Sequence, residues 1–170
     1  MHEATDATDA VDGMRDRLAA LYPELDTSAF GVVGRVLRLA QAIDRLRAEH
    51  LSQFGLVPGD FDVLATIRRI EGDAGVNPGR LLQSVLITSG GLTKRLDRLQ
   101  TAGWVVRHPD PADRRATLVR LTPDGRDLAD RALPSLLTRE REFIERTLSD
   151  RQRDQTAASL RRLVLALPED

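Results

Sequence analysis

The sequence predicts a mainly α-helical protein with one short β-hairpin. Leu, Val and Ile recur at three- and four-residue steps over most of the chain, which is the spacing of amphipathic helices. Alternation of apolar and polar residues is confined to two short stretches, Trp104 to His108 and Thr117 to Leu121. Between positions 77 and 122, a short helix, a turn, a basic helix, a glycine and these two strands follow one another. That order is typical of a winged helix-turn-helix.

A tail and two helices are predicted for residues 1–53. Residues 1–10 are polar and acidic, and we expect them to be disordered. An extra N-terminal helix is predicted over residues 11–22, with Pro23 at its end and an apolar seam of Val11, Met14, Leu18 and Leu21. A second, long helix is predicted from about Ala29 to Gln53.

Three helices are expected before the hairpin. The first covers residues 58–70, with Phe61, Leu64, Ile67 and Ile70 on one face. Asn77 is a good N-cap with Pro78 at the first helical position, which predicts a short helix to about Val85. Thr88 is predicted to cap the basic helix, whose buried stripe is Leu92, Leu96 and Leu99. Gly103 is placed as its left-handed stop.

Two helices are expected after the hairpin. Thr122 and Pro123 repeat the cap-and-proline signal and begin a helix to about Leu148. Pro134 lies inside this helix and is predicted to kink or split it, because proline removes a backbone donor and clashes one turn back. Ser149 and Gln152 form a capping-box pattern before a last helix that ends near Leu167.

Composition excludes several classes of protein. With 170 residues the chain is one domain, or one domain with a dimerisation element, and it has no cysteine. Disulfides and thiolate metal sites are therefore excluded. There is no apolar run of transmembrane length and no signal peptide, so we expect a cytoplasmic protein without membrane contact. The net charge is −1, but the stretch from Arg80 to Arg120 is locally basic, and local charge governs DNA binding.

The basic helix has the side chains of a recognition helix. Because its leucine stripe faces the core, its polar residues project elsewhere, and a helix of this size fits the major groove. Gly90 lowers helix propensity, which close approach of the backbone to a phosphate would justify. The alternative is a solvated polar face. We predict DNA contacts from Ser89, Gly90, Thr93, Lys94 and Arg98.

The tip of the hairpin favours DNA over the alternative. Asp113, Arg114 and Arg115 are consecutive, so one arginine can pair with the carboxylate while the other stays available to DNA. The alternative is a surface ion pair worth about 0–1 kcal/mol. We predict that Arg114 and Arg115 contact DNA.

Three motifs lie in and around the predicted hairpin: Ala102-Gly103-Trp104, Asp113-Arg114-Arg115 and Val119-Arg120-Leu121-Thr122. Together they resemble the signature of the MarR family of bacterial winged-helix regulators. The resemblance implies a homodimer that binds a palindromic double-stranded operator and acts more commonly as a repressor. It assigns residues 58–121 to the DNA-binding lobe, and residues 29–54 and 123–167 to the dimerisation region.

The N-terminal extension is similar to the urate-responsive branch of that family. Members of that branch have a pocket formed by a tryptophan of the extra helix, an aspartate and an arginine of the recognition helix. Asp62 and Arg95 match the last two, whereas Leu18 lies where the tryptophan would be. The resemblance implies a small anionic or phenolic effector and no cofactor. The alternatives are a carboxylate favoured by a helix N-terminus for Asp62, and a phosphate contact or salt bridge for Arg95.

An enzyme is not expected. His2, His50 and His108 are scattered, and no nucleophile-base pair, phosphate-binding glycine loop or metal-ligand cluster is visible. The predicted function is a ligand-responsive DNA-binding regulator. The competing hypothesis is a winged-helix dimer that acts without a ligand or as a protein-interaction module.

Overall fold

The computed structural model describes residues 7–71, 75–85, 91–111 and 116–168. These residues form seven helices and a two-stranded antiparallel hairpin, so the predicted mainly helical fold with one wing is confirmed. The chain divides into two compact units, Met1–Arg47 and Ala48–Asp170.

The first unit contains α1 (Ala10–Leu21) and most of α2 (Ser28–Ser52). Asp9 caps α1: its carboxylate accepts from the Val11 amide at 2.7 Å, and the Asp12 carboxylate accepts from the Asp9 amide at 2.9 Å. This reciprocal capping box satisfies backbone donors that a helix start leaves unpaired. Asp9 and Ala10 thus have defined roles in α1, which begins earlier than the sequence indicated.

α1 is held on α2 by one buried side chain and one arginine. Val11 is fully buried, and a Cβ at Gly34 would lie 3.0 Å from its Cγ1 atom, so the absence of a side chain at position 34 lets the helices approach. Arg35 donates to Asp9 at 2.9 Å and to Asp12 at 2.7 Å. Val11 is the only residue of the predicted seam that is buried. Met14 and Leu21 are exposed, and Leu18 is half-buried.

The second unit contains α3 (Pro58–Ile70), α4 (Pro78–Ser84), α5 (Leu92–Thr101), α6 (Pro123–Glu145) and α7 (Asp150–Leu165). The caps predicted at Asn77, Thr122 and Ser149 are confirmed. Asn77 accepts from the Gly79 amide at 2.8 Å, and Thr122 accepts from the Gly125 amide at 3.0 Å. Ser149 forms the capping box with Gln152.

One hydrophobic core joins α3, α4, α5, the hairpin and α6. The predicted stripe of α3 is confirmed for Phe61, Leu64 and Ile67, which are at most 3% exposed. The other fully buried large side chains of this core are Leu51, Val63, Val76, Leu81, Leu99, Val105 and Val119, with Leu136 2% exposed. This core fixes the position of α5 against α3.

The hairpin pairs β1 (Val105–Pro109) with β2 (Thr117–Leu121), with Val105 opposite Leu121. Gly103 has φ +77°, so the predicted left-handed stop before β1 is confirmed. A further strand pairing was not predicted: Val76 and Val119 exchange two backbone hydrogen bonds of 2.8 Å. This bridge ties the start of α4 to the wing.

Pro134 does not split α6, which is one helix from Pro123 to Glu145, so the predicted split was wrong, whereas the predicted kink stays a prediction. The helix also ends three residues before Leu148. Proline removes one backbone hydrogen bond, but Ala132 and Leu136 on either side are buried in the core. Tertiary packing supplies most of the stability of a protein helix, and here it outweighs the lost bond.

Candidate nucleic-acid interface

The recognition helix α5 has one buried face and one exposed face. Leu92, Leu96 and Leu99 are 7%, 3% and 0% exposed, as predicted. Thr93 and Lys94 are exposed. The helix begins at Leu92 after Gly91, which makes no side-chain cap. Its polar face is therefore presented away from the core, as a helix that enters a groove requires.

Several predicted contacts lie outside the described residues. These contacts are Ser89 and Gly90, and Arg114 and Arg115 between β1 and β2. The assignment of these four residues stays a prediction. Thr88, predicted as the cap of the basic helix, also lies outside the described residues, and the N-cap position of α5 is occupied by Gly91.

Lys94 makes no ion pair or hydrogen bond within the described part of the chain. Arg80 on α4 is also exposed and, among the described residues, has no side-chain partner. Arg80 was not predicted as a DNA contact, although an arginine in the first turn of the helix before the recognition helix is a signal that the sequence shows. Unpaired cations are what phosphate binding requires, because a paired arginine must first give up its partner.

Asp60 is the acidic residue that the structure brings to the recognition helix. Arg98 donates to both of its carboxylate oxygens, at 3.0 Å from Nε and 2.5 Å from an Nη atom. The Asp60 side chain is 11% exposed and the Arg98 side chain 53%. Arg98 was predicted as a DNA contact, but its guanidinium is hydrogen-bonded to a carboxylate of α3. Hydrogen bonding to Asp60 raises the pKa of Arg98 above its ordinary value.

Arg95 turns toward the same carboxylate. Its guanidinium lies 4.0 Å from the Asp60 carboxylate, and its side chain is 27% exposed. A Cβ at Gly59 would overlap this guanidinium, and a Cβ at Gly91 would lie 3.1 Å from the Nε atom. Arg95 therefore occupies a narrow slot between the first turns of α3 and α5. The salt bridge that was the alternative for Arg95 is present.

The other two predicted ligand residues lie elsewhere on the described elements. Asp62 is half-buried on α3, two residues beyond Asp60, and has contacts of its own. Leu18 is half-buried on α1, in the first unit. Asp62 was predicted from the sequence and Asp60 was not, although the position of Asp60 in the first turn of a helix that begins with proline was an available signal.

The base of the wing is held to α5 by an ion pair and to Glu71, the C-cap of α3, by a hydrogen bond, and Glu71 in turn pairs with Arg126 of α6. Arg107 of β1 donates to Asp97 of α5 at 2.6 Å. The Glu71 side chain, 4% exposed, lies 2.5 Å from an Arg126 nitrogen and accepts from the Leu121 amide at 3.2 Å. These contacts fix the direction in which the hairpin leaves the core.

α4 is held by α3 at the end that leads toward α5. Arg69 donates to the carbonyl oxygen of Ser84, the last residue of α4, at 2.8 Å. A cation at a helix C-terminus satisfies a free carbonyl and is favoured by the helix dipole. The orientation of both helices of the helix-turn-helix is therefore set by side chains of α3.

Other kinds of site are not seen in the described ranges. No group of three or more His, Asp or Glu side chains there could hold a metal ion. None of the helices in that part of the chain has the length and hydropathy that crossing a membrane requires.

Comparison with known proteins agrees with this geometry. The family model of the MarR family matches residues 54–116. The HTH-type transcriptional regulator PecS of Dickeya dadantii is 34% identical over 122 residues, which are 72% of this chain and 74% of PecS.

Two solved structures are similar over most of the chain. A mutant of Escherichia coli MarR complexed with operator DNA has a TM-score of 0.69 and 29% identity, covering 84% of this chain and 98% of that one. CouR of Rhodococcus jostii RHA1, bound to p-coumaroyl-CoA, has a TM-score of 0.66 and 24% identity, covering 81% of this chain and 95% of CouR. The relatives are transcriptional regulators and not enzymes. The winged helix-turn-helix, the extent of the match to PecS and the family match together show that this chain is a DNA-binding transcriptional regulator of the MarR family.

Proposed function

We propose that the protein is a homodimeric repressor that binds a palindromic operator and releases it when a small molecule binds. The observation that carries this proposal is the exposed polar face of α5, with Thr93 and Lys94 free of the core, on a fold similar to that of E. coli MarR on operator DNA. Two copies of such a helix, related by a two-fold axis, read two half-sites about one helical turn apart.

The proposed DNA contacts divide into two groups. Ser89, Gly90, Thr93 and Lys94 would meet the major groove, where short polar side chains and a lysine can reach base edges and phosphates. Arg114 and Arg115 at the tip of the wing would reach phosphates or the minor groove. Within the described part of the chain Lys94 has no competing ion pair, which supports its proposed role as a DNA contact.

Homodimer formation is supported by apolar faces that each unit leaves exposed. On α2 these are Val32, Val33, Val36, Leu37 and Leu39, and on α7 they are Leu160, Leu163, Val164 and Leu165, followed by Leu167. Exposed apolar patches of this kind mark interaction surfaces. The assignment of both helices to the dimerisation region is therefore retained.

The proposed effector is a small anionic or phenolic compound. Arg95 is the residue best placed to meet an anion, because its guanidinium is partly exposed and its contact with Asp60 is long, at 4.0 Å. Since Arg95 is on the recognition helix, a ligand that engages it together with Asp62 would displace α5. A displacement in both copies would prevent simultaneous contact with two half-sites. CouR, which binds p-coumaroyl-CoA, supports this class of effector. The assignment of Leu18 to the effector site stays a prediction.

The test begins with selection of genomic DNA fragments by the purified protein, followed by footprinting of the enriched fragment. A palindromic protected region is expected. Urate, 4-hydroxybenzoate and p-coumaroyl-CoA are then added separately to the complex and release of DNA is measured.

Release by at least one compound, lost in Asp62→Ala but retained in the exposed-aspartate control Asp127→Ala, supports the effector site. A protected region without two-fold symmetry would contradict the operator. Leucine at position 18, in place of the tryptophan, favours the alternative of a ligand-independent regulator. Failure of all three compounds to release DNA would support that alternative.

A further inference from the structure

The carboxylate of Asp60 is buried under the recognition helix, and burial of a charge is costly unless it is paired. Its position in the first turn of α3 offsets part of that cost through the helix dipole. In the described part of the chain, the ion-pair partners of Asp60 are Arg98 and Arg95, and both belong to α5. The charge of Asp60 is therefore satisfied only while α5 stays in its present orientation.

Arg98 sets the orientation of α5 relative to α3. A guanidinium that donates two hydrogen bonds to one carboxylate is fixed in plane and direction, which a single ion pair is not. The leucines of α5 give the helix its depth in the core, but apolar contacts are non-directional. The Arg98 to Asp60 contact adds a directional constraint on rotation of α5 about its own axis.

Arg95 restricts the same movement. Its guanidinium lies in the slot between Gly59 and Gly91, where side chains at either position would meet it. Arg95 and Arg98 are three residues apart, so both project from the same side of α5 onto the N-terminal turn of α3. Thr93 and Lys94 are exposed on the same helix, so a rotation of α5 that these two contacts oppose would also turn Thr93 and Lys94 away from their present direction.

We propose that Asp60 is the positioning residue of the recognition helix and that Arg98 acts on DNA recognition through Asp60 instead of contacting DNA. Base readout requires that side chains be held to within about 0.5 Å and 10–20° of the productive geometry. Loss of the Asp60 charge leaves the leucine stripe in place but frees the rotation of α5. Selectivity for one sequence is then lost before general affinity for DNA.

Asp60→Asn tests this with little change in side-chain volume. Asp130→Asn is the matched control, because Asp130 also accepts two hydrogen bonds from an arginine of α3, Arg68, at 2.7 and 3.3 Å, but does not touch α5. The probes are the duplex that the wild type enriches most from a random-core library and a scrambled duplex of equal composition. Dissociation constants are measured by fluorescence anisotropy at several salt concentrations.

Asp60→Asn is expected to lower the ratio of the two affinities at least about tenfold, with the affinity for the scrambled duplex unchanged or higher. Asp130→Asn is expected to keep the ratio within about twofold. Arg98→Ala is expected to lower the ratio as Asp60→Asn does, and the double variant to lower it no further, because both changes remove one interaction. The salt dependence of Arg98→Ala is expected to equal that of the wild type, since no phosphate contact is lost.

Two results would overturn the inference. One is a ratio unchanged in Asp60→Asn while the melting temperature falls, which means that the ion pair only stabilises the fold. The other is a salt slope reduced by about one in Arg98→Ala, which means that Arg98 contacts a phosphate.

A readout without DNA decides the same question. Amide hydrogen exchange in α5 is expected to accelerate in Asp60→Asn and to stay unchanged in Asp130→Asn, and equal exchange in both variants would contradict the inference. A wild type that enriches no duplex would count against the proposed operator, whereas hydrogen exchange would still decide the role of Asp60.

Discussion

Gly125 in the first turn of α6 lies against the backbone carbonyl of Trp104, so closely that a Cβ on Gly125 would overlap the carbonyl oxygen. That oxygen also accepts a hydrogen bond from the Thr122 amide at 3.0 Å. The carbonyl cannot move away without losing this bond. The start of α6 thus packs directly against the start of the wing, and glycine is the residue type that fits at position 125.

Gly125→Ala is expected to destabilise the protein by about 1–3 kcal/mol, the usual cost of overpacking, or by more if the Thr122 bond breaks. The measurement is urea unfolding followed by circular dichroism. The same substitution at Gly13, which is in α1 with no described atom within 4 Å of the added Cβ, is the control. Alanine there raises helix propensity, so equal or greater stability is expected. A neutral Gly125→Ala would show that the two segments are not packed as described.

Local signals in the sequence predicted three helix starts and one helix stop correctly. Asn77, Thr122 and Ser149 act as caps, and Gly103 has the left-handed conformation, because each role depends on residues within three or four positions. The stripe of α5 could be predicted in the same way, because its leucines recur within three or four positions of one another. The capping box between Asp9 and Asp12 was present in the sequence too, but the acidic composition around it suggested disorder.

Contacts between distant segments could not be predicted in this way. Asp60 and Arg98 are 38 positions apart, and the bridge between Val76 and Val119 spans a single residue pair, too short to show alternation. From the sequence, Arg98 was one of several cations on a basic helix, with no signal that separated it from Lys94. Only the packing of α3 against α5 distinguishes a lysine open to solvent from an arginine held on a buried carboxylate.

Lys94→Ala is expected to weaken DNA binding and to reduce the slope of log affinity against log salt by about one phosphate contact. The reason is that the Lys94 ammonium has no partner among the described residues that would compete with phosphate. Anisotropy titrations between about 50 and 200 mM salt measure the slope. The control is Arg131→Ala on α6, which removes a cation paired with Asp127 at 2.9 Å. If both variants lower the slope equally, the effect is one of net charge and not of contact.

The docking of α1 is expected to depend on pH through Asp12. The hydrogen bond from the Asp9 amide, and then the bond from Arg35, lower the pKa of Asp12 below its ordinary value of 3.8. A carboxyl whose folded pKa is depressed contributes stability that is complete above the unfolded value and is lost as pH falls through the folded one. Asp12→Asn should therefore increase hydrogen exchange in α1 at about pH 7, and the difference from the wild type should shrink below about pH 4.

Asp16→Asn is the matched control for that experiment, since Asp16 is on the same helix without a hydrogen bond or ion pair to the described residues. Exchange rates are compared after correction for the intrinsic effect of pH. A difference between Asp12→Asn and the wild type that persists unchanged at about pH 3 would mean that the charge of Asp12 does not hold α1.

Leu163→Asp is expected to dissociate the proposed dimer. Leu163 is 53% exposed in the described chain, next to Val164 at 63%, and exposure of that size is costly for side chains that water cannot solvate favourably. A carboxylate in an apolar interface would have to be desolvated without a partner, which costs far more than the apolar contact it replaces. Sedimentation equilibrium should show a shift from dimer to monomer at micromolar concentration.

Gln155→Asp is the control, because it adds the same charge to α7 away from the apolar stripe, and it should leave the mass of the protein unchanged. The Leu163→Asp monomer should also bind a single half-site and the whole operator with similar affinity, because the gain from two linked contacts is absent. A Leu163→Asp protein that stays dimeric would place the interface elsewhere, and the exposed face of α7 would then need another partner.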